Sequence, residues 1–185
     1  MPDGSLAKVS PVAGLQLDWL VEVLMGKEGF DRPRAERAVE DYRCVLEIAV
    51  DHPDRAIAPP ASADRAWHHH MMKSVTYTRD CNALFGEYLH HDPEICGTPA
   101  FWEAWDFTRA QFQLRRGITL PATDEAKEAM ADHHPIRKGA REAGNGDDLP
   151  MQCIMMPRAD SQPVQCIVMA RADAQPVQCI VMARR

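Results

Sequence analysis

The chain has 185 residues, of which 45% are apolar and 26% charged, the profile of a soluble globular protein with length for one domain and additional sequence. No apolar run reaches the roughly 20 residues of a membrane span, and the opening MPDGSLAKVSPVAG lacks the apolar core of a secretion signal, so a cytoplasmic protein without a membrane partner is expected. Lys and Arg number 21 against 27 Asp and Glu, and a net charge of −6 with no basic block argues against nucleic acid as a partner.

The composition is divided along the chain. All twelve aromatic residues lie between Trp19 and Phe112. The segment from Pro150 to Arg185 is net positive, with Arg158, Arg171, Arg184 and Arg185 against Asp160 and Asp173. It also holds three of the six cysteines and five of the ten methionines. One packed domain followed by a tail of different character is expected.

In chain order, Leu17, Leu20, Val21 and Leu24 repeat at helical spacing and are stopped by Gly26 and Gly29. Asp31 is placed to cap a second helix with Pro33 in its first turn. Ala35, Ala38, Val39, Tyr42, Val45, Leu46, Ala49 and Val50 give that helix an apolar stripe from about residue 34 to residue 51. AIAPPA must be extended, and Ser62 is the expected cap of a helix through the histidine run. The next helix carries Tyr77, Cys81, Leu84, Phe85, Tyr88 and Leu89. Thr98 and Pro99 then open one over about residues 100 to 114, and a weaker helix follows at 124 to 132. No segment before residue 150 demands a strand. The fold class expected is all-α: a small helical bundle over residues 1–134, then a flexible glycine-containing linker at 135–149.

Residues 150–185 contain a 13-residue repeat. Each of its three units reads Cys-x-x-Met: Cys153 with Met156, Cys166 with Met169, Cys179 with Met182. PVQCIVMAR occurs twice unchanged, and PMQCIMMPR is a looser first copy.

The histidine-rich centre runs ADRAWHHHMMKSVTYTRDCNALFGEYLHHDPEICG. Asp64, Trp67, His68, His70 and Met71, then Thr76, Tyr77, Asp80 and Cys81, then Phe85, Gly86, Leu89, His90 and His91 form a W-H-x-H, T-Y-x-x-D-C, F-G-x-x-L-H-H order. On these residues the chain resembles the bacterial branch of the glycine-rich domain-containing protein-like family over about residues 15 to 115. The chain lacks the glycine-rich region of the family's name. The resemblance implies a helical domain and marks Trp67, His68, His70, His90 and His91, but supplies no reaction. No catalytic residue is assigned.

Imidazole is the commonest ligand for Zn, Fe and Cu. His68, His70, His90 and His91, with Asp64 or Asp80 nearby, are the candidate ligands of such a transition metal. Positions two apart on a helix point about 200° apart, so His68 and His70 should not face one site. The alternative is structural, with His68 and His90 satisfying buried polar groups between helices. Cys44 and Cys81 fall on apolar faces, as inert packing thiols do, and Cys96 falls in a loop.

The tail has three readings. The cassettes resemble the cores of ribosomally synthesised, post-translationally modified peptide precursors, whose folded part is recognised by a modifying enzyme. That makes Cys153, Cys166 and Cys179 the modified residues, since thiolate is a strong side-chain nucleophile. Thiolate and thioether, as at Met156, Met169 and Met182, also suit Cu(I). The third reading is a β-meander of three short strands. The function expected is a precursor whose cysteine cassettes are modified, with a copper- or zinc-binding protein as the alternative.

Overall fold

The computed structural model describes residues 10–92, 94–132 and 154–156. Six helices make up most of it: α1 (Trp19–Val23), α2 (Arg32–Asp51), α3 (Ala61–Met72), α4 (Ser74–Phe85), α5 (Pro99–Arg116) and α6 (Thr123–Asp132). Two three-residue strands, β1 (His90–Asp92) and β2 (Ile154–Met156), complete the described structure. The all-α class expected from the periodicity is what folds. No helix among the described residues is long and apolar enough to cross a membrane.

Local chemistry sets the helix ends. The Asp31 carboxylate accepts from the Arg34 amide and starts α2, with Pro33 in the first turn. Thr98 Oγ1 accepts from the Phe101 amide and starts α5, with Pro99 at its first position. After α1 the chain passes through Gly26 in a widened turn, Leu24–Glu28, and stops only at Gly29. Gly29 has φ +69°, a left-handed conformation that costs a glycine little. Gly86 does the same work after α4, so Tyr88 and Leu89 lie beyond that helix rather than on its face.

α2 is the central helix. Its apolar stripe meets α1 on one side and α3 on another, and α5 packs beside them. Tyr42, Trp67, Tyr77, Phe101, Trp105 and Phe112 are fully buried in the single core. Each contributes on the order of 1.5–3 kcal/mol by leaving water.

The structure departs from the sequence expectations in two further places. Ser62 does not cap α3; Pro60 occupies that position, and Ser62 is buried in the first turn with its hydroxyl 3.4 Å from Asp41 Oδ2. A strand does form before residue 150, where His90 to Asp92 leave the helical path. Its partner is the first tail unit: β1 and β2 are antiparallel, with His90 opposite Met156, His91 opposite Met155 and Asp92 opposite Ile154. The linker and the second and third units lie outside the described residues, as does any meander among the units.

Candidate metal centre

Three residues flagged by spacing or by the histidine run converge at the outer side of α3. Asp64 and His68 are one helical turn apart, so their side chains lie on one face. His68 Nδ1 is 2.7 Å from Asp64 Oδ2. Past the turn at Gly86 the chain returns along α3, and β1 sets His91 Nε2 at 2.9 Å from His68 Nε2. Ligand atoms of Asp64, His68 and His91 all lie within 4.8 Å of one another, a compact group of the size that holds one ion.

What holds β1 there is a chain of buried hydrogen bonds. Trp67 Nε1 donates to Tyr77 Oη at 2.8 Å, and Tyr77 Oη donates to the Leu89 carbonyl at 2.7 Å. α3, α4 and the residue preceding β1 are thus tied together. The Trp67 ring, fully buried, also packs against His91 with ring centroids 5.0 Å apart. Helical spacing placed Tyr77 on an apolar face and the resemblance marked Trp67; their link to a backbone carbonyl leaves no trace in a sequence.

The site is sealed on one side and open on the other. The Asp64 side chain is 0% exposed and that of His68 is 42% exposed, so the carboxylate is out of water while the imidazole reaches it. The hydrogen bond to Asp64 raises the pKa of His68, against the effect of burial. His91 is shifted down, first by burial and then by His68 itself. The pair therefore takes up a first proton readily and resists a second.

The same arrangement suits a cation. With Nδ1–H toward the Asp64 carboxylate, His68 turns its other nitrogen, Nε2, to His91, an arrangement like that of carboxylates behind metal-bound histidines. His68 Nε2 and His91 Nε2 are the atoms that would hold such an ion, with Asp64 within reach of the same group. Two imidazoles fit Zn, Fe or Cu. Further coordination positions are left for water or another ligand.

The other predicted residues are placed differently. His70 points into the core, with Nδ1 2.9 Å from Tyr42 Oη and Nε2 3.2 Å from Asp80 Oδ2. It is the buried polar histidine between helices, a role the sequence had suggested for His68 and His90. His90 is half-buried, with its ring 5.0 Å from that of Tyr88. His69 pairs with Glu28 at 2.8 Å on the surface. Met156 sits opposite His90 in the strand pair. Cys153, Cys166, Cys179, Met169 and Met182 lie outside the described residues. Cys44 and Cys81 are buried free thiols, and burial pushes that of Cys44 up to about 11, so neither is a ready nucleophile. Cys96 is partly exposed.

No protein-family profile matches the chain, and no curated protein or solved structure is significantly similar to it.

Proposed function

We propose that the helical domain is a metal-binding unit that takes a transition-metal ion on His68 Nε2 and His91 Nε2, with Asp64 orienting His68 from behind. The observation that carries this reading is the approach of the two Nε2 atoms to 2.9 Å above a buried carboxylate. Neutral histidines otherwise satisfy one another by a single shared proton; a divalent ion replaces that proton. Affinity should therefore fall as pH falls through the raised pKa of His68. The likeness to the glycine-rich domain-containing protein-like family is proposed on the same residues, because Trp67, His68, Tyr77 and His91 of that motif also build this site.

The test is titration of the metal-free full-length protein with Zn(II) against a chromophoric chelator, repeated with Co(II) for its ligand-field spectrum. His68→Asn keeps a donor toward Asp64 and removes Nε2. It should weaken binding at least ~100-fold, a loss at the upper end for disturbed metal sites, and His91→Asn should do the same. Replacing Cys153, Cys166 and Cys179 together by Ala should leave the domain site intact. Binding that ignores both histidines, or disappears with the three cysteines, overturns the reading.

A second reading is favoured by the strand pairing. The first cassette lies on the strand that carries His91, as expected of a precursor whose domain handles its own core units before a modifying enzyme acts on their cysteines. Mass spectrometry of protein from its native host should then find mass changes confined to residues 150–185, with Cys166→Ala removing one modification and sparing the other two.

A further inference from the structure

We propose that β1 is a docking edge for one tail unit at a time, and that all three units of this chain compete for it. The docked unit seen here is the first. Its Ile154, Met155 and Met156 stand opposite Asp92, His91 and His90. A strand edge recognises its partner through backbone hydrogen bonds, which any residue but proline supplies, and adds selectivity at alternate positions. The tail repeats that requirement. Ile154, Ile167 and Ile180 occupy one position of the unit, and Met156, Met169 and Met182 occupy the position two residues on. Only the central position varies, from Met155 to Val168 and Val181. Retention of the outer two positions in three copies is what a shared receptor would select, because an edge of three residues admits one unit and offers each the same register.

Two further features favour exchange. The first unit follows its methionine with Pro157, which has no N–H to extend a ladder, whereas the others have Ala170 and Ala183 there. Carried on in the same register, Arg171 or Arg184 of a docked later unit would come opposite Tyr88, beside the exposed carboxylate of Glu87. The cost of reaching the edge rises little along the tail. Segments 133–153, 133–166 and 133–179 separate α6 from the three units, and chain-closure scaling for those lengths disfavours the second by only about twofold and the third by about threefold relative to the first. Docking would also bring each unit's cysteine, one residue before the isoleucine, to one common position just beyond Asp92. The strand then shields one cassette while two remain presented to a partner.

This proposal concerns the backbone edge and is independent of metal, so its test is run in the presence of a chelator on the full-length protein. The readout is hydrogen exchange at the amides of residues 90 to 92, followed by NMR. Met155→Pro disables the first unit. Because the other units take its place, protection should fall less than about threefold, in line with the closure scaling. Adding Val168→Pro and Val181→Pro should lower protection at least tenfold, while the core amides of α2 stay protected and report an intact fold. Loss of protection with Met155→Pro alone overturns the exchange and leaves the edge specific to the first unit. No loss in the triple variant overturns the docking itself. Protection that rises with protein concentration overturns docking within one chain and assigns the edge to the tail of a second copy.

Discussion

His68 and His70 stand two residues apart on α3 and live in opposite surroundings. His70 is 1% exposed, is boxed by the rings of Trp19, Tyr42 and Tyr77, and has both nitrogens directed at protein groups. His68 has one nitrogen on a buried carboxylate and the other on His91, at a surface that water reaches. The helix turns about 200° between them, so one residue type serves the core and the rim of the same element. Burial decides what each can do. A histidine enclosed by core side chains is a joint; one paired with a second imidazole at a rim that water reaches is a candidate ligand.

The sharpest way to break this comparison is to remove what separates the two faces. Trp67 lies between them, and Trp67→Ala should cost about 3–5 kcal/mol, as truncation of a buried aromatic does. It also removes the donor to Tyr77 Oη and the ring that packs on His91, so metal affinity should fall together with stability. Denaturant unfolding and Zn(II) titration of the same sample measure both. A loss of only a few tenths would mean that the ring does not carry the packing its burial implies.

His70→Ala should separate the two properties. It leaves the Tyr42 hydroxyl without its imidazole in the core while Asp80 keeps Arg79, and an unsatisfied buried polar group costs about 1–3 kcal/mol. Metal affinity, measured well below the new melting temperature, should stay within about threefold of wild type, since a threefold change is well under 1 kcal/mol. A large loss of affinity would place His70 in the site and dissolve the distinction.

How much of this was legible in the sequence follows from the range of each interaction. Helices whose stripe and cap are local, such as α2 with Asp31 and α5 with Thr98, could be read to within a few residues. The geometric exclusion of His68 and His70 from one site was equally local. Asp64 was visible one turn before His68. What the residues could not tell was which of His90 and His91 returns to α3, because that depends on Gly86 ending α4 and on the Tyr77–Leu89 hydrogen bond fixing the strand's alternation. The short strand escaped notice for a related reason: His-His-Asp has no strand propensity of its own, and its partner lies more than sixty residues away in the first tail unit.

The smallest expected effect is on the pH dependence of stability, where the two histidines act with opposite signs. Burial is the largest influence on His70 and lowers its pKa from the ordinary 6.5; Asp80 opposes this, and Arg79 and Lys73 reinforce it. The unfolded chain thus binds a proton more readily than the folded one at this position, and stability is lost as pH falls from about 6.5 through the lowered value. For His68 the folded state binds the proton more readily. Its contribution is fully present below about 6.5 and is lost as pH rises through its raised pKa. His91, shifted down, adds to the acid-side loss. In wild type the two windows adjoin, so these groups together place maximum stability near pH 6.5, with a loss on either side. His70→Asn removes one acid-side loss and should flatten the slope below about pH 6.5; His68→Asn removes the loss on the other side and should flatten the fall above about pH 6.5. Urea unfolding of metal-free protein at half-unit pH intervals measures both slopes. Parallel curves for the two variants would mean that the rim and core histidines sense the same surroundings, against the geometry of α3.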